Sequence, residues 1–404
     1  MKRIFGVARK ETDMNSYKIS FWNYLGLDAP ERETAVKDWK DAGINLAMSF
    51  DYNPELHQKD VMLKLLDDCE KEGIKVIVRD VRTSYHRYGK IGEKEFRKGV
   101  KEAVDDFGSH PAVYGFHVGD EPDVNAWEWA IAAHRIVLEA APALTPFLNM
   151  FPYWSGPSFE KLLGCDADGY TEKLIDFVRR SGAKVLSFDS YGQCAYFERE
   201  YYQECHILNF HIFRRAAEAT GAQLFVSLLS VGHWGYRVPD DDDFRWQIYT
   251  AAAHGATGFF WFSFYQGSNL DGNYRDNPIN MFRERTLTYQ RLAYQDKVFL
   301  KFFAPLLSRC KYEKTEYSSK NYGGYPAFGE RDELKRIETV VNETLVAVTR
   351  WIKDDGKPAY TFVNMDRKNP TKIRLIFEGP LAAKNCDVWI VPGQMVYVDE
   401  DKTV

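Results

Sequence analysis

The chain has 404 residues, with 53 basic and 58 acidic side chains and a formal net charge of −5. There is no basic surplus to follow a phosphate backbone, so nucleic acid is not an expected partner. Aromatic residues make up 15%, including 10 Trp and 24 Tyr; such a supply serves core packing and also provides flat platforms for sugar rings.

In residues 1–16 the one apolar run, residues 4–8, stands among charges and is too short for a signal-peptide core. No later run has the length needed to cross a bilayer, so the expectation is no membrane partner and a cytoplasmic location.

From residue 17 to about 308, short β-rich runs alternate with longer amphipathic ones. The strand-like runs are residues 19–25, 44–51, 74–79, 112–118, 145–151, 184–190, 223–231 and 257–264. Helical patterns lie between them; residues 31–42, 59–71 and 210–220 each close near a Gly, at Gly43, Gly73 and Gly221. Eight such units predict a closed (β/α)₈ TIM barrel over residues 1–308, with its last helix at 286–307. Beyond it, residues 340–351, 359–364, 372–377 and 386–391 read as strands of a small antiparallel β-sandwich-like domain, 309–404.

Several features point away from other chemistry. Cys69, Cys165, Cys194, Cys205, Cys310 and Cys386 show no Cys-x-x-Cys or zinc spacing and read as reduced thiols. With no His-x-His, His-Glu-x-x-His, dinucleotide fingerprint or Walker-type lysine loop, no metal and no cofactor are expected. Asp240 to Asp243 stand just before the helical stretch 244–254 and read as its amino-terminal cap.

In a barrel of this type the reacting groups come from the carboxyl ends of the strands. Those ends offer Asn23, Asp51, Asp80, Asp120 with Glu121, Asn149, Asp189 with Tyr191, Ser230 with His233, and Trp261 with Tyr265. Asp120 and Glu121 come directly after a strand and before Pro122, which forbids its continuation. By alternation His117 points the same way as Glu121, either to tune the acids or as a packed barrel histidine. Arg79-Asp80 and Tyr85-His86-Arg87 are equally open to substrate contact or to surface ion pairing. Residues 265–285 form the longest rim loop, and Trp234, Tyr236, Trp261, Phe262 and Tyr265 near it favour sugar stacking.

The run HPAVYGFHVGDEP at 110–122 resembles the fourth strand of clan A glycoside hydrolases, where Asn-Glu-Pro carries the acid/base and Asp120 here replaces the Asn. That resemblance implies a glycosidase with Glu121 as general acid and an oligosaccharide or glycoconjugate as substrate. Retaining members of the clan also carry a nucleophilic Glu at the end of the seventh strand, where this chain has Ser230. The adjacent Asp-Glu is similar to that of family 20 and family 123 hexosaminidases, which use the substrate's own acetamide as nucleophile. This likeness implies an exo-acting β-N-acetylhexosaminidase in which Asp120 orients the 2-acetamido group and Tyr191 bonds its carbonyl. Two alternatives stay open: an inverting reaction with Asp189 as base, and a barrel that binds carbohydrate without cleaving it.

Overall fold

The computed structural model describes residues 17–195, 200–267, 272–330 and 333–404. Eight parallel strands form one sheet: β1 (Lys18–Phe21), β2 (Leu46–Met48), β3 (Lys75–Val78), β4 (Val113–Asp120), β5 (Phe147–Met150), β6 (Val185–Asp189), β7 (Gln223–Leu229) and β8 (Gly258–Phe262). Their spatial order, β1-β8-β7-β6-β5-β4-β3-β2, is that of a TIM barrel, with helices in the connections. Each predicted run overlaps one of these strands; β1 begins one residue before its run and β4 continues two residues past its run, to Asp120.

Between β1 and β2 the ring closes through a side chain. Asn45 Oδ1 accepts the Ile19 N–H at 2.8 Å, its Nδ2 donates to Tyr17 O at 2.9 Å, and its backbone N–H reaches Ile19 O at 3.2 Å.

Alternation along each strand sorts its side chains. Trp22, Leu46, Met48, Ile77, Phe147, Val185, Phe225 and Phe260 pack together inside the barrel. Phe21, Val76, Val78, Val226, Leu228, Phe259 and Trp261 join the layer between strands and helices. β4 departs from period two. Its register slips against β3 and again against β5 between His117 and Gly119. Tyr114 and His117 therefore both face the interior cluster and Asp120 follows at the mouth, three residues apart each time.

The helix predicted at 59–71 is observed as Lys59–Lys71, whereas the one predicted at 210–220 begins earlier and runs Glu200–Thr220. The predicted 286–307 helix contains a π turn, Phe299–Phe303, between Leu287–Val298 and Ala304–Leu307. Pro305, which has no N–H and crowds the preceding turn, explains the widening. Asp240 caps Asp241–Ala253 in a reciprocal capping box with Asp243.

Beyond residue 309 lie β9 (Cys310–Tyr317), β10 (Leu334–Val341), β11 (Val346–Lys353), β12 (Pro358–Asn364), β13 (Thr371–Phe377), β14 (Cys386–Ile390) and β15 (Met395–Val398). They make two antiparallel sheets, β15-β12-β11-β9 and β10-β13-β14, with Val348, Tyr360, Phe362, Ile373, Leu375 and Phe377 between them. The run predicted as one strand at 340–351 is two. The chain breaks at Asn342, which has φ 54°, and passes from one sheet to the other. β9 and β15 carried no prediction.

The four-stranded sheet packs on the helix Asp241–Ala253. Thr315 and Thr349 both donate to Ala253 O, at 3.0 and 2.7 Å, and Trp246 Nε1 donates to Met365 O at 3.1 Å. Among the described residues no helix is long and apolar enough to cross a membrane.

Candidate active site

At the carboxyl ends of the strands lies a cavity of about 720 Å³. Asp120, Glu121, Asn149 and Asp189 supply its polar side, and Trp22, Tyr24, Trp154, Tyr191, Trp234, Tyr236, Phe262 and Tyr274 supply aromatic wall. Its size and its mixture of aromatic surface with a few converging polar groups are those of a small-molecule site.

The backbone at Glu121 is forced. Glu121 has φ 47°, in the left-handed region that a side chain disfavours, and its N–H is held by Asn149 O at 2.9 Å. Gly119 precedes it at φ 151°, and a Cβ there would stand 2.3 Å from the Tyr85 ring. Tyr85 then donates its hydroxyl to Asp120 O at 2.7 Å. Bulge, glycine and tyrosine together turn Asp120 and Glu121 into the cavity. Tyr85, which sequence left undecided between surface and substrate, braces that turn instead.

Asn149 ties the carboxyls together. Its Nδ2 donates to Asp120 Oδ1 at 3.1 Å and to Asp189 Oδ1 at 2.9 Å, while its Oδ1 accepts the Ser187 hydroxyl at 2.9 Å. Glu121 and Asp189 are within hydrogen-bonding reach of each other, and one proton shared between them relieves their repulsion. Burial, then the charges of Asp189 and Asp120, push the Glu121 carboxyl far above the ordinary range. Burial and the Asp189 charge push Asp120 up to about 7. Asp189 is also raised by burial, against hydrogen bonds that favour its charged form. At neutral pH the site therefore presents a protonated acid beside a carboxylate, and both states can serve proton transfer.

Tyr191 lines the cavity with its hydroxyl buried beside Asp189, whose charged form it helps to hold, so a ligand that takes the hydroxyl's proton must compete with that carboxylate. His233 also lines it; burial drops its pKa to about 4, and the neutral ring stacks on Tyr274 at 5.6 Å. Trp234 stands at the rim, 66% exposed. Tyr265 touches the cavity, but its hydroxyl is turned away and accepts from Trp39 Nε1 at 2.9 Å.

Six candidates are not among the cavity-lining residues. Asn23 is fully buried, with its Oδ1 on the Leu25 N–H; its neighbours Trp22 and Tyr24 take the cavity instead. Asp51 pairs with Arg79 at 2.8 Å, and Asp80 is locked to Arg82 Nη2 at 2.7 Å. His117 packs beneath the cavity against Trp22 and Phe147, since the bulge after it breaks the alternation that would have aligned it with Glu121. Ser230 turns outward and donates to Ser263 O at 3.2 Å. Trp261 has the outward parity of β8 and gives its Nε1 to buried Asp296 at 3.0 Å.

Sequence reasoning passed over Trp22, Tyr24, Trp154 and Tyr274. For the first two the signal was present, because Ser20, Trp22 and Tyr24 share the inward parity of β1. Trp154 and Tyr274 come from loops. Of the 265–285 loop, residues 268–271 lie outside the described residues, while Arg275 pairs with Gly232 across to the β7 loop.

One group with metal-ligand spacing occurs among the described residues, Asp67, Glu70 and His110. His110 precedes β4, so the group belongs to the opposite end of the barrel.

No protein-family model and no curated protein matches this sequence. Among solved structures it is similar to a glycoside hydrolase family 5 protein from Bacteroides vulgatus, with TM-score 0.61 and 13% identity over 96% of this chain and 90% of that one. An endo-β-1,4-mannanase from Thermotoga petrophila gives 0.51 and 11% over 93% and 97%. A β-galactosidase from Marinomonas ef1 gives 0.54 and 12% over 72% of this chain, which spans 62% of that protein's length. At such identities the likeness is one of fold.

Proposed function

We propose that this protein is a glycoside hydrolase, and specifically an exo-acting β-N-acetylhexosaminidase working by substrate assistance. One observation carries the reading: Glu121, within hydrogen-bonding reach of Asp189 and sharing a proton with it, faces an aromatic-walled cavity that β7 supplies with no carboxylate. A touching pair is closer than the about 5 Å of an acid and nucleophile or the about 6.5–9.5 Å of an inverting acid and base. Proximity of that order favours a shared proton over an anomeric carbon or a water held between the two carboxyls. A nucleophile carried by the substrate removes that requirement.

In this reading Glu121 protonates the departing oxygen and then, as carboxylate, takes a proton from the incoming water. As the acetamide oxygen attacks the anomeric carbon, positive charge grows on its nitrogen, and a carboxylate stabilises it. Asp120 is assigned that role, with Asp189 beside it sharing the Asn149 amide. The Tyr191 hydroxyl donates to the acetamide oxygen. Solved relatives in fold are named for galactosides and mannans, which have no 2-acetamido group, and the absent β7 carboxylate is what separates this chain from a two-carboxylate mechanism.

Release of nitrophenol from 2-acetamido-2-deoxy β-glycosides, set against the matching glucoside and galactoside, tests the proposal. Turnover of the acetamido sugars alone, with tight inhibition by a thiazoline, is the expected result. Equal turnover of the plain glycosides would remove acetamide participation. Binding without any turnover would point to a carbohydrate-binding barrel.

A further inference from the structure

We infer that the β-sandwich is a working part of the active site, acting through Arg367 as a positioning residue for the β6 loop. The loop Met365 to Pro370 joins β12 to β13 and leans on the barrel. Met365 O accepts from Gln203 Nε2 at 3.0 Å and from Trp246 Nε1 at 3.1 Å. From this anchorage Arg367 reaches across, and its Nη1 donates to Gln193 O.

Gln193 belongs to the turn Gly192–Cys194, which follows directly on Tyr191 and is three residues from the end of β6 at Asp189. The turn is clamped from three directions. Arg237 N donates to Cys194 O at 2.9 Å, and Ala195 bridges to Tyr236, another cavity residue. Gly192 lies so near the helix Glu200–Thr220 that a Cβ would meet Tyr202 O at 1.9 Å. Arg367 is the one of these contacts that comes from the sandwich.

Gln193 O also accepts from Arg237 Nη2 at 3.5 Å, and the nearer Arg367 guanidinium makes the stronger charge-assisted bond to it. It fixes the turn, and through the turn the side chain of Tyr191 and the carboxylate of Asp189. Displacements of about 1 Å in such groups cost up to about a hundredfold in rate.

The test is made on the full chain with R367A, R367K and R245A. R245A removes another bond between barrel and sandwich, from Arg245 Nε to Pro392 O at 2.7 Å, which belongs neither to the Met365 loop nor to the β6 turn. Amide hydrogen exchange of the peptide covering residues 189–195 is read first, because it needs no substrate. R367A is expected to speed exchange there about tenfold, R367K to restore most of the protection, and R245A to leave the segment unchanged. The inference is overturned if R367A leaves this segment as in the wild type, or if R245A loosens it equally. Turnover rests on the function proposed above; there R367A is expected to lower kcat about tenfold with a smaller change in KM. Should no glycoside be turned over by the wild type, that function fails while the exchange result still decides the role of Arg367.

Discussion

Two arcs of the barrel mouth carry acids, and they have been treated in opposite ways. On β2 and β3, Asp51 and Asp80 each face a guanidinium, and Arg82 also grips Asp106 at 2.8 Å. On β4 and β6, Asp120, Glu121 and Asp189 have one another and the amide of Asn149. With Lys59 on Asp106 at 3.0 Å the first arc is balanced in charge; the second stores unfavourable proximity that a shared proton relieves. An acid at a strand end is therefore no sign of chemistry until its partner is known.

The sharpest attack on this contrast is E121Q, which keeps shape and removes the titrating group. It is expected to lower kcat about 10³-fold, equivalent to about 4 kcal/mol of barrel-mouth catalysis, with the folded structure kept. Steady-state kinetics and a melting curve check it, and a loss under tenfold would end the role of Glu121 as acid.

In the neutral arc the effect should fall on stability. R82A leaves buried Asp80 without its counter-charge and is expected to cost about 3 kcal/mol in denaturant titration, while kcat changes less than about threefold. W261F tests the outward face of β8. It removes the donor to buried Asp296, with an expected cost of about 1–3 kcal/mol and no change in KM.

A smaller effect discriminates by pH. Asp120 titrates near 7 in the fold but near 3.8 as an ordinary carboxyl, so its raised pKa favours the folded state below about pH 3.8, and this support is lost as pH rises to about 7. D120N should therefore melt above the wild type at pH 7.5, and the gap should close toward pH 4. A gap independent of pH would show that Asp120 is not desolvated as described.

Much of this molecule could be read from residue order. Eight strand runs, the capping Asp240 and the Asp-Glu-Pro stop all follow from local patterns, and the fold agrees with them. Where reading went astray, parity within a strand was the cause. Asn23, Ser230 and Trp261 sit at strand ends, yet each occupies the face opposite the cavity, and an alternation count from Ser20, Phe225 or Phe260 would have shown it. The shift that placed His117 below Glu121 is different in kind. It comes from two bulges in β4, which depend on how the neighbours of that strand pack and leave no local mark. The bond from Arg367 to Gln193 spans 174 residues, beyond the reach of any pattern in a window.

The Asn45 join has a consequence for how the ring gives way. Every other neighbouring pair of strands is laced by a parallel ladder, whereas between β1 and β2 the described residues show backbone bonding supplemented by one carboxamide. Breathing of the cylinder should begin along this line, with the Ile19 amide among the first of the inner ring to exchange with solvent. For anyone wishing to rewire the chain, it marks the natural place to cut the circle and make new ends.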